Sequence, residues 1–425
     1  MLQTLRNAWR IEEIRKKILF TLLIVLLYRI GNAIPVPFVN TVLLQQYFAY
    51  LQNTALGLLD AMSGGSFSNA TIFALSIQPY INASIIIQLL CIAIPALERM
   101  SKDEGEEGRK KIASITRYST VAIGLLQGFG YYMLMRNNGI IVSEAASSVW
   151  AAIIIILTFT SGSALIMWLG EQITEFGIGN GISIILFASI ISRFPNSVIT
   201  TIQNVANGAL AWWAAVLVFL GALALIVLIV YVNDAERRIP VQYAKRVVGR
   251  KMYGGQSTHL PMKVNMSGVM PIIFASSISS IPATIAAFTG HSDSAWARTN
   301  TIPYAIIYFL LIIFFAYFYS TIQFNPIEVA NNLKKNGGYI PGFRPGKPTS
   351  EFIQKVLNKI TLFGAIYLGI IAVTPILVSH FSNAAALTGL SLGGTSIIIV
   401  VGVALETVRA IEAQMLMRNY KGFLS

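Results

Sequence analysis

Ten stretches of about twenty mostly apolar residues, separated by polar connections, leave this chain few ways to fold. They lie near 18–38, 72–96, 113–135, 149–171, 181–202, 211–232, 265–288, 302–322, 358–380 and 392–412. In hydrocarbon only helices and closed barrels satisfy their own backbone groups. Barrel strands alternate apolar and polar residues over about ten positions, which these continuous runs do not. The pattern predicts an all-α polytopic membrane protein with ten transmembrane helices. Only 12% of the residues are charged, half of the roughly 25% of soluble domains. The first apolar run follows basic residues, as a signal peptide would. Its full length, with nine more spans behind it, reads as a retained helix.

Ten spans place both termini on one side, and the charges say which. About 26 of the 31 Lys and Arg residues fall in the N-terminal arm, the even-numbered connections and the C-terminal tail. The arm alone carries Arg6, Arg10, Arg15, Lys16 and Lys17, whereas the opposite side has little beyond Arg136, Arg193 and Arg298. The positive-inside rule puts both termini in the cytoplasm. Much of the +13 net charge is explained by topology and by attraction to anionic lipid headgroups. Two cytoplasmic segments, 233–264 and 323–357, exceed what topology needs. They interleave Arg and Lys with Tyr, Phe, Gly and Pro, the chemistry of a docking surface for acidic proteins or RNA phosphates.

Residues 57–69 (GLLDAMSGGSFSN) are too short and polar to span a bilayer, yet too apolar for an ordinary loop. Such a broken segment is tolerated at membrane depth only where protein or a water-filled cavity receives its backbone, so it points to an internal pathway. A helix expected from near Ile72 follows. On it Ile81, Ser84, Ile85 and Gln88 share one face at helical spacing, a face better suited to a pore than to lipid. The spans divide at 203–210 into a half covering 1–202 and a half covering 211–425. Five spans per half is odd, so the second half enters inverted, and a pathway would lie between the halves. Span seven is the natural counterpart of span two: Ile273, Ser276, Ser277 and Ser280 follow helical spacing between Pro271 and Pro282.

No catalytic chemistry is visible. The stretch 342–348 (GFRPGKP) lacks the glycine spacing and the Ser/Thr of a Walker A loop. The cluster Gly177, Gly179, Gly181 fails the dinucleotide fingerprint. One cysteine, Cys91, and three scattered histidines exclude a disulfide framework and argue against a metal site. Arg29 and Arg117 lie near helix ends, Glu171 and Glu175 flank the inner end of span four, and Glu406 alone sits inside a span. No relay of buried acids marks proton coupling. The expectation is a conduit without cofactor, metal or energy source of its own, and not an enzyme.

Six stretches in order then resemble the SecY family, the central channel subunit of the bacterial Sec translocase: ALSIQPYINASIIIQLL (74–90), EGEEGRKKIASITRY (104–118), EQITEFGIGNGISII (171–185), LPMKVNMSGVMP (260–271), NPIEVANNLKKNGGYIPGFRPGKPT (325–349) and LGGTSIIIVVGVALE (392–406). The resemblance implies two pseudo-symmetric inverted halves around a central hourglass pore. It makes 57–69 a plug, including Leu58, Leu59, Met62, Gly64 and Gly65. It places a waist of aliphatic side chains at Ile81, Ile85, Ile182, Leu186, Ile273 and Ile399, with Leu186 departing from the usual isoleucine. It implies a lateral gate between spans two and three and spans seven and eight, with Ser84, Gln88, Ser276 and Ser277 as its polar seam. It implies docking of the SecA ATPase and of the ribosome, including ribosomal RNA, on Arg237, Arg238, Arg246, Arg250, Lys334, Lys335, Arg344 and Lys347. SecE and SecG subunits, signal sequences, nascent chains and membrane lipids complete the implied partners. The implied location is a bacterial plasma membrane, with a plastid membrane as the other possibility.

The function so implied is a passive protein-conducting channel that also releases membrane helices sideways into lipid. A secondary transporter of a small solute is the alternative. It would need convergent charged or cation-liganding residues near the midplane, where this sequence offers an aliphatic girdle. An assembly scaffold would leave the broken segment without a purpose.

Overall fold

The computed structural model describes residues 2–50, 55–102, 105–142, 148–208, 211–243, 246–248, 251–253, 257–288, 301–381 and 394–421. A short amphipathic helix, α1 (Leu2–Arg10), leads into α2 (Glu12–Gly31), the first span. Helix α2 starts ahead of its apolar window because the Glu, Arg and Lys residues there are good helix formers. Glu12 and Glu13 also sit in its first turn, where the helix dipole favours acids. It stops at Gly31 rather than running to 38, since Pro35 and Pro37 cannot continue a helix. Next comes α3 (Thr41–Tyr50), which the apolar windows did not signal. Asn40 caps it, its Oδ1 accepting from the Val42 and Leu43 amides at 3.1 and 3.2 Å.

The broken segment is a short helix, α4 (Ala55–Ser63), followed by a run of turns over 64–77. The second span, α5 (Gln78–Ala93), therefore begins at Gln78 and not near Ile72. Two features set this boundary. Ala70 and Ser76 hold positive φ (43° and 50°), and Pro79 in the first turn pre-sets the helical start. Sixteen residues reach only about 24 Å, short of a hydrocarbon core of about 30 Å. The turn run occupies the remaining depth. Its backbone is satisfied by protein: Val36 N donates to Ala70 O at 2.9 Å, Ile72 N to Ile34 O at 3.0 Å and Thr71 N to Ser66 O at 3.2 Å.

Helices α6 (Pro95–Lys102), α7 (Gly105–Asn137), α8 (Val149–Phe176) and α9 (Gly181–Ala206) complete the first half. Helix α9 runs through 203–206, so the connection between halves shortens to 207–211, of which 209–210 lie outside the described residues. The second half opens with α10 (Trp212–Asp234), which buries little beyond Ile229 and Val232 and presents an apolar wall outward.

The two long basic segments are folded, not simple loops. Strand β1 (Glu236–Tyr243) is followed by a small hairpin, β2 (Arg246–Val248) and β3 (Lys251–Tyr253), and then by β4 (Ser257–Lys263). After α11 (Met270–Phe288) and α12 (Ile302–Gln323), the second segment supplies α13 (Pro326–Lys335) and β5 (Gly338–Tyr339). Helices α14 (Lys347–Phe381) and α15 (Gly394–Lys421) finish the chain. The sheet order is β4-β1-β5, antiparallel throughout. Along β1, Ile239 and Val241 point inward between exposed Arg238, Pro240 and Gln242. They join Met262, Ile340, Ile353 and Leu357 in one small core, so the two segments share a single platform. Helix α14 begins within this platform, well ahead of its apolar window.

Among the described residues ten apolar helices stand where ten windows were read: α2, α5, α7, α8 and α9, then α10, α11, α12, α14 and α15. The main core forms between the two sets, drawing Ile81 and Ile85 from α5, Leu186 from α9, Ile273 from α11, Ile312 from α12 and Ile399 from α15. A second cluster fixes the turn run: Phe67 stacks on Tyr131 of α7 with centroids 4.2 Å apart, and Phe48 of α3 meets Phe67 edge-on at 5.2 Å.

Gly162 of α8 lets the turn run lie against that helix, because a Cβ there would sit 2.0 Å from the Ile72 carbonyl oxygen. Gly162→Ala is expected to cost about 1–3 kcal/mol through overpacking, read as a lowered unfolding midpoint in detergent. An unchanged midpoint would contradict this packing.

Candidate functional site

The proposed waist is assembled from four helices of both halves. Four-residue spacing puts Ile81 and Ile85 on one stripe of α5, and Ile182 and Leu186 on one stripe of α9. The start of α9 is fixed by Asn180, whose Oδ1 accepts from Ile182 N and Ser183 N at 3.1 and 3.3 Å. It is also fixed by Gly181, where a Cβ would lie 1.9 Å from the Gly170 carbonyl oxygen. Ile81, Ile85, Leu186, Ile273 and Ile399 are all buried in the same apolar cluster, and half-buried Ile182 packs against it. Leucine at 186 keeps the volume and apolarity of its neighbours and is itself 1% exposed.

Helix α4 packs against α9 and α11. Met62 belongs to the cluster that holds the waist, and Leu59 lines a cavity beside it. Gly64 and Gly65 take φ of +72° and +86°, a conformation glycine adopts without strain. A Cβ on Gly64 would also meet the Ser189 carbonyl oxygen of α9 at 2.8 Å. Of Leu58 only the backbone is described. The Asp60 carboxylate meets the guanidinium of Arg193 in α9 at 3.0 Å. Neither residue was singled out from sequence as part of the plug. The signal was available: the one acid in 57–69, and one of the few basic residues on the outer side.

The residues of the proposed polar seam bond within their own helices. Gln88 Nε2 donates to Ser84 Oγ at 3.1 Å, one turn away on the same helix. Ser276 Oγ donates to Ile273 O at 2.8 Å, again within its helix, and lies 4.0 Å from Met62 Sδ. Helices α5 and α11 pack together, and the bonds of Ser84, Gln88 and Ser276 described above stay within their own helices. The reason is local: a helical serine finds a carbonyl three or four residues back at lower cost than a partner on another helix. Gln88 Oε1 and Ser277 Oγ are buried without a partner among the described residues. A cavity of about 350 Å³ opens between α4, α5, α7 and α11, lined by Met62, Asn82, Ile86, Gln127 and Ile281.

The basic residues collect on the platform. Arg237, Arg238, Lys334, Lys335, Arg344 and Lys347 are exposed there, and Arg238 Nε contacts Glu236 at 2.7 Å. Arg344 lies in the turn that leads into α14, between Gly342 and Gly346 with φ of +89° and +105°. Its carbonyl accepts from Thr349 Oγ1 at 2.8 Å, and Phe343 stacks on Phe352 at 4.2 Å. The turn is thus held at its base, and the Arg344 side chain is exposed. Of Arg246 only the backbone in β2 is described, and Arg250 lies outside the described residues. Where the platform meets the spans, burial first and then Arg409 lower the Lys263 ammonium below its ordinary range, partly offset by Glu406 and Asp234. Among the described residues no cluster of three His, Cys, Asp or Glu side chains is placed to hold a metal ion.

The family model described as SecY matches residues 71–408. The protein translocase subunit SecY of Streptomyces scabiei is 45% identical over 441 residues, covering 100% of both chains. That of Mycobacterium tuberculosis is 43% identical over 446 residues, again across 100% of both. Among solved structures, one described as a protein conducting channel covers 95% of this chain and 93% of its own, at 18% identity and a TM-score of 0.63. Sec61 in the canine ribosome-channel complex from the endoplasmic reticulum covers 95% and 93%, at 16% identity and a TM-score of 0.59.

Removing the apolarity of the waist tests its role. Burial of an isoleucine contributes about 1.5–3 kcal/mol, so Ile81→Asn combined with Ile273→Asn is expected to raise passive ion flux through reconstituted vesicles about tenfold or more. Flux at the wild-type level would remove these residues from the seal.

Proposed function

This chain belongs to the SecY family, and from that premise we propose that it is a protein-conducting channel whose waist is the six-residue aliphatic ring. The observation that carries the reading is the meeting of Ile81, Ile85, Ile182, Leu186, Ile273 and Ile399 from both halves in one apolar cluster with Met62 of α4. An apolar constriction blocks water and ions by dewetting. Aliphatic side chains move aside for a peptide of any sequence, whereas a charged ring would select its cargo. Helix α4 is then the plug that fills one side of the waist at rest.

The lateral gate is assigned to the contact of α5 and α7 with α11 and α12. A seam without cross-helix hydrogen bonds opens at lower cost than one stitched by them, each such bond contributing about 0.6–2 kcal/mol in a membrane. This favours release of an apolar signal sequence or membrane helix into lipid. The platform carrying Arg344 is assigned to docking, with the SecA ATPase as motor in one mode and the ribosome, including its RNA, in another. A solved relative is a ribosome-channel complex, and six exposed basic side chains on one folded surface suit such partners. The bare apolar wall of α10 leaves room for accessory membrane subunits, for which SecE and SecG are the family's candidates. The charge asymmetry supports a plasma membrane with both termini in the cytoplasm, and the bacterial relatives favour it over a plastid membrane. A small-solute transporter would need charges converging at the waist, where aliphatic side chains converge instead.

Reconstituted with the motor ATPase and ATP, the channel is expected to carry a secretory precursor into vesicles, where it resists protease. Arg344→Glu should abolish this protection while the variant remains folded and inserted. Protection equal to wild type would remove the platform from motor docking, and no protection by the wild-type channel would contradict the function.

A further inference from the structure

Asp60 is the one charged residue on a plug helix otherwise made of Leu, Ala, Met, Gly and Ser. It is 5% exposed, and both of its carboxylate oxygens are engaged. Oδ2 meets Arg193 Nη1 at 3.0 Å, and Oδ1 accepts from the Ser68 amide at 2.8 Å. Its backbone carbonyl accepts from Gly65 N and Ser63 Oγ, both at 3.0 Å. One side chain thus ties α4 to α9 and to the turn run that follows.

The two sides of this tie differ in how firmly they are held. The turn run is anchored by Phe67 stacked on Tyr131, by the Tyr131 hydroxyl donating to the Phe67 carbonyl, and by Ile72 against Gly162. Helix α4 is held mainly by apolar side chains, Leu56 in the cluster of Phe67 and Tyr131 and Met62 in that of Ile81 and Ile273. Beyond apolar contact it is joined to α9 through Asp60 and through the close approach of Gly64 to Ser189. Between the two parts lie Gly64 and Gly65, whose backbone can turn once the bonds of Ser63 with Ser66 and Phe67 and of Asp60 with Ser68 are released.

We propose that Asp60 and Arg193 are a positioning pair, an ionic latch that holds α4 in its closing position, with Gly64 and Gly65 as the pivot about which it leaves. This rests on the reading of 57–69 as the plug. The choice of charges has a physical reason. A latch made only of apolar side chains would expose them to water whenever the channel opened. Asp60 and Arg193 are instead hydrated on opening, which returns part of the lost pairing. Arg193 is already 39% exposed while latched, so screening keeps the tie modest and reversible.

The test is passive ion flux through vesicles bearing the purified full-length channel complex. Asp60→Asn keeps the size and the acceptor for Ser68 but removes the charge, and Arg193→Gln removes the other partner. Charged hydrogen bonds of this kind have net worth that predicts a flux increase of about tenfold for each. The double variant should leak no more than either single one, since both remove the same contact. Arg193→Lys, which keeps the charge, should stay near wild type, and unfolding midpoints should stay at the wild-type value throughout. Deletion of 57–69 serves as the reference for a channel without its plug. If that deletion raises flux while Asp60→Asn and Arg193→Gln do not, the latch is wrong and the plug stands. Multiplying effects in the double variant also overturn the latch, as does leak that follows a lowered midpoint and persists in Arg193→Lys. If the deletion leaves flux unchanged, the plug assignment fails and the latch fails with it.

Discussion

A backbone amide or carbonyl left without a partner in hydrocarbon costs several kcal/mol, and this cost organises the whole molecule. It obliges each span to be helical. It also decides where residues 57–77 go, because a short helix and a run of turns cannot face lipid. They are received by α2, α7, α8, α9 and α11, and their amides find carbonyls at Ile34, Asp60, Ser66 and within their own turns. Once that segment is inside the bundle, it occupies the space between the halves, which a conduit requires. The shortness of α5 has the same origin: sixteen helical residues suffice because turns supply the rest of the depth.

The second constraint is chemical tolerance. A pathway for arbitrary polypeptides cannot rely on charge or hydrogen bonding at its narrowest point, yet must hold back ions when idle. The proposed waist, of aliphatic side chains on α5, α9, α11 and α15 that share one apolar cluster, meets both demands. Charge is placed where selectivity is useful, on the sheet and helix platform formed by the two long segments. Ser84, Gln88 and Ser276 bond within their own helices, so these bonds do not stitch α5 to α11. Ser276 also lies against Met62, so the proposed seam and the proposed plug are in contact.

Much of this was legible in the sequence because hydrophobic length and charge sidedness are properties of single segments. The ten windows, the division into halves and the stripes Ile81/Ile85 and Ile182/Leu186 follow from spacing alone. Boundaries were less legible. Basic and acidic helix formers extend α2, α7 and α14 beyond their apolar windows, and Pro79 with positive φ at Ala70 and Ser76 delays α5. The platform was read as two basic loops because its sheet is built from pairings between distant residues, Gln242 with Tyr339 and Ile239 with Leu260. The Asp60–Arg193 pair was missed for the same reason: each charge looks incidental until the fold brings α4 against α9.

The account's central claim is that translocating chains pass through the waist. A secretory precursor stalled by a folded C-terminal domain, in channels bearing a photoreactive residue at 81, 273 or 217, tests it most directly. Position 217 lies on the exposed wall of α10 and reports on lipid-side contact. The account predicts strong crosslinks from 81 and 273 to the stalled chain and none from 217. Crosslinks absent from 81 and 273, or no stronger there than at 217, would contradict it.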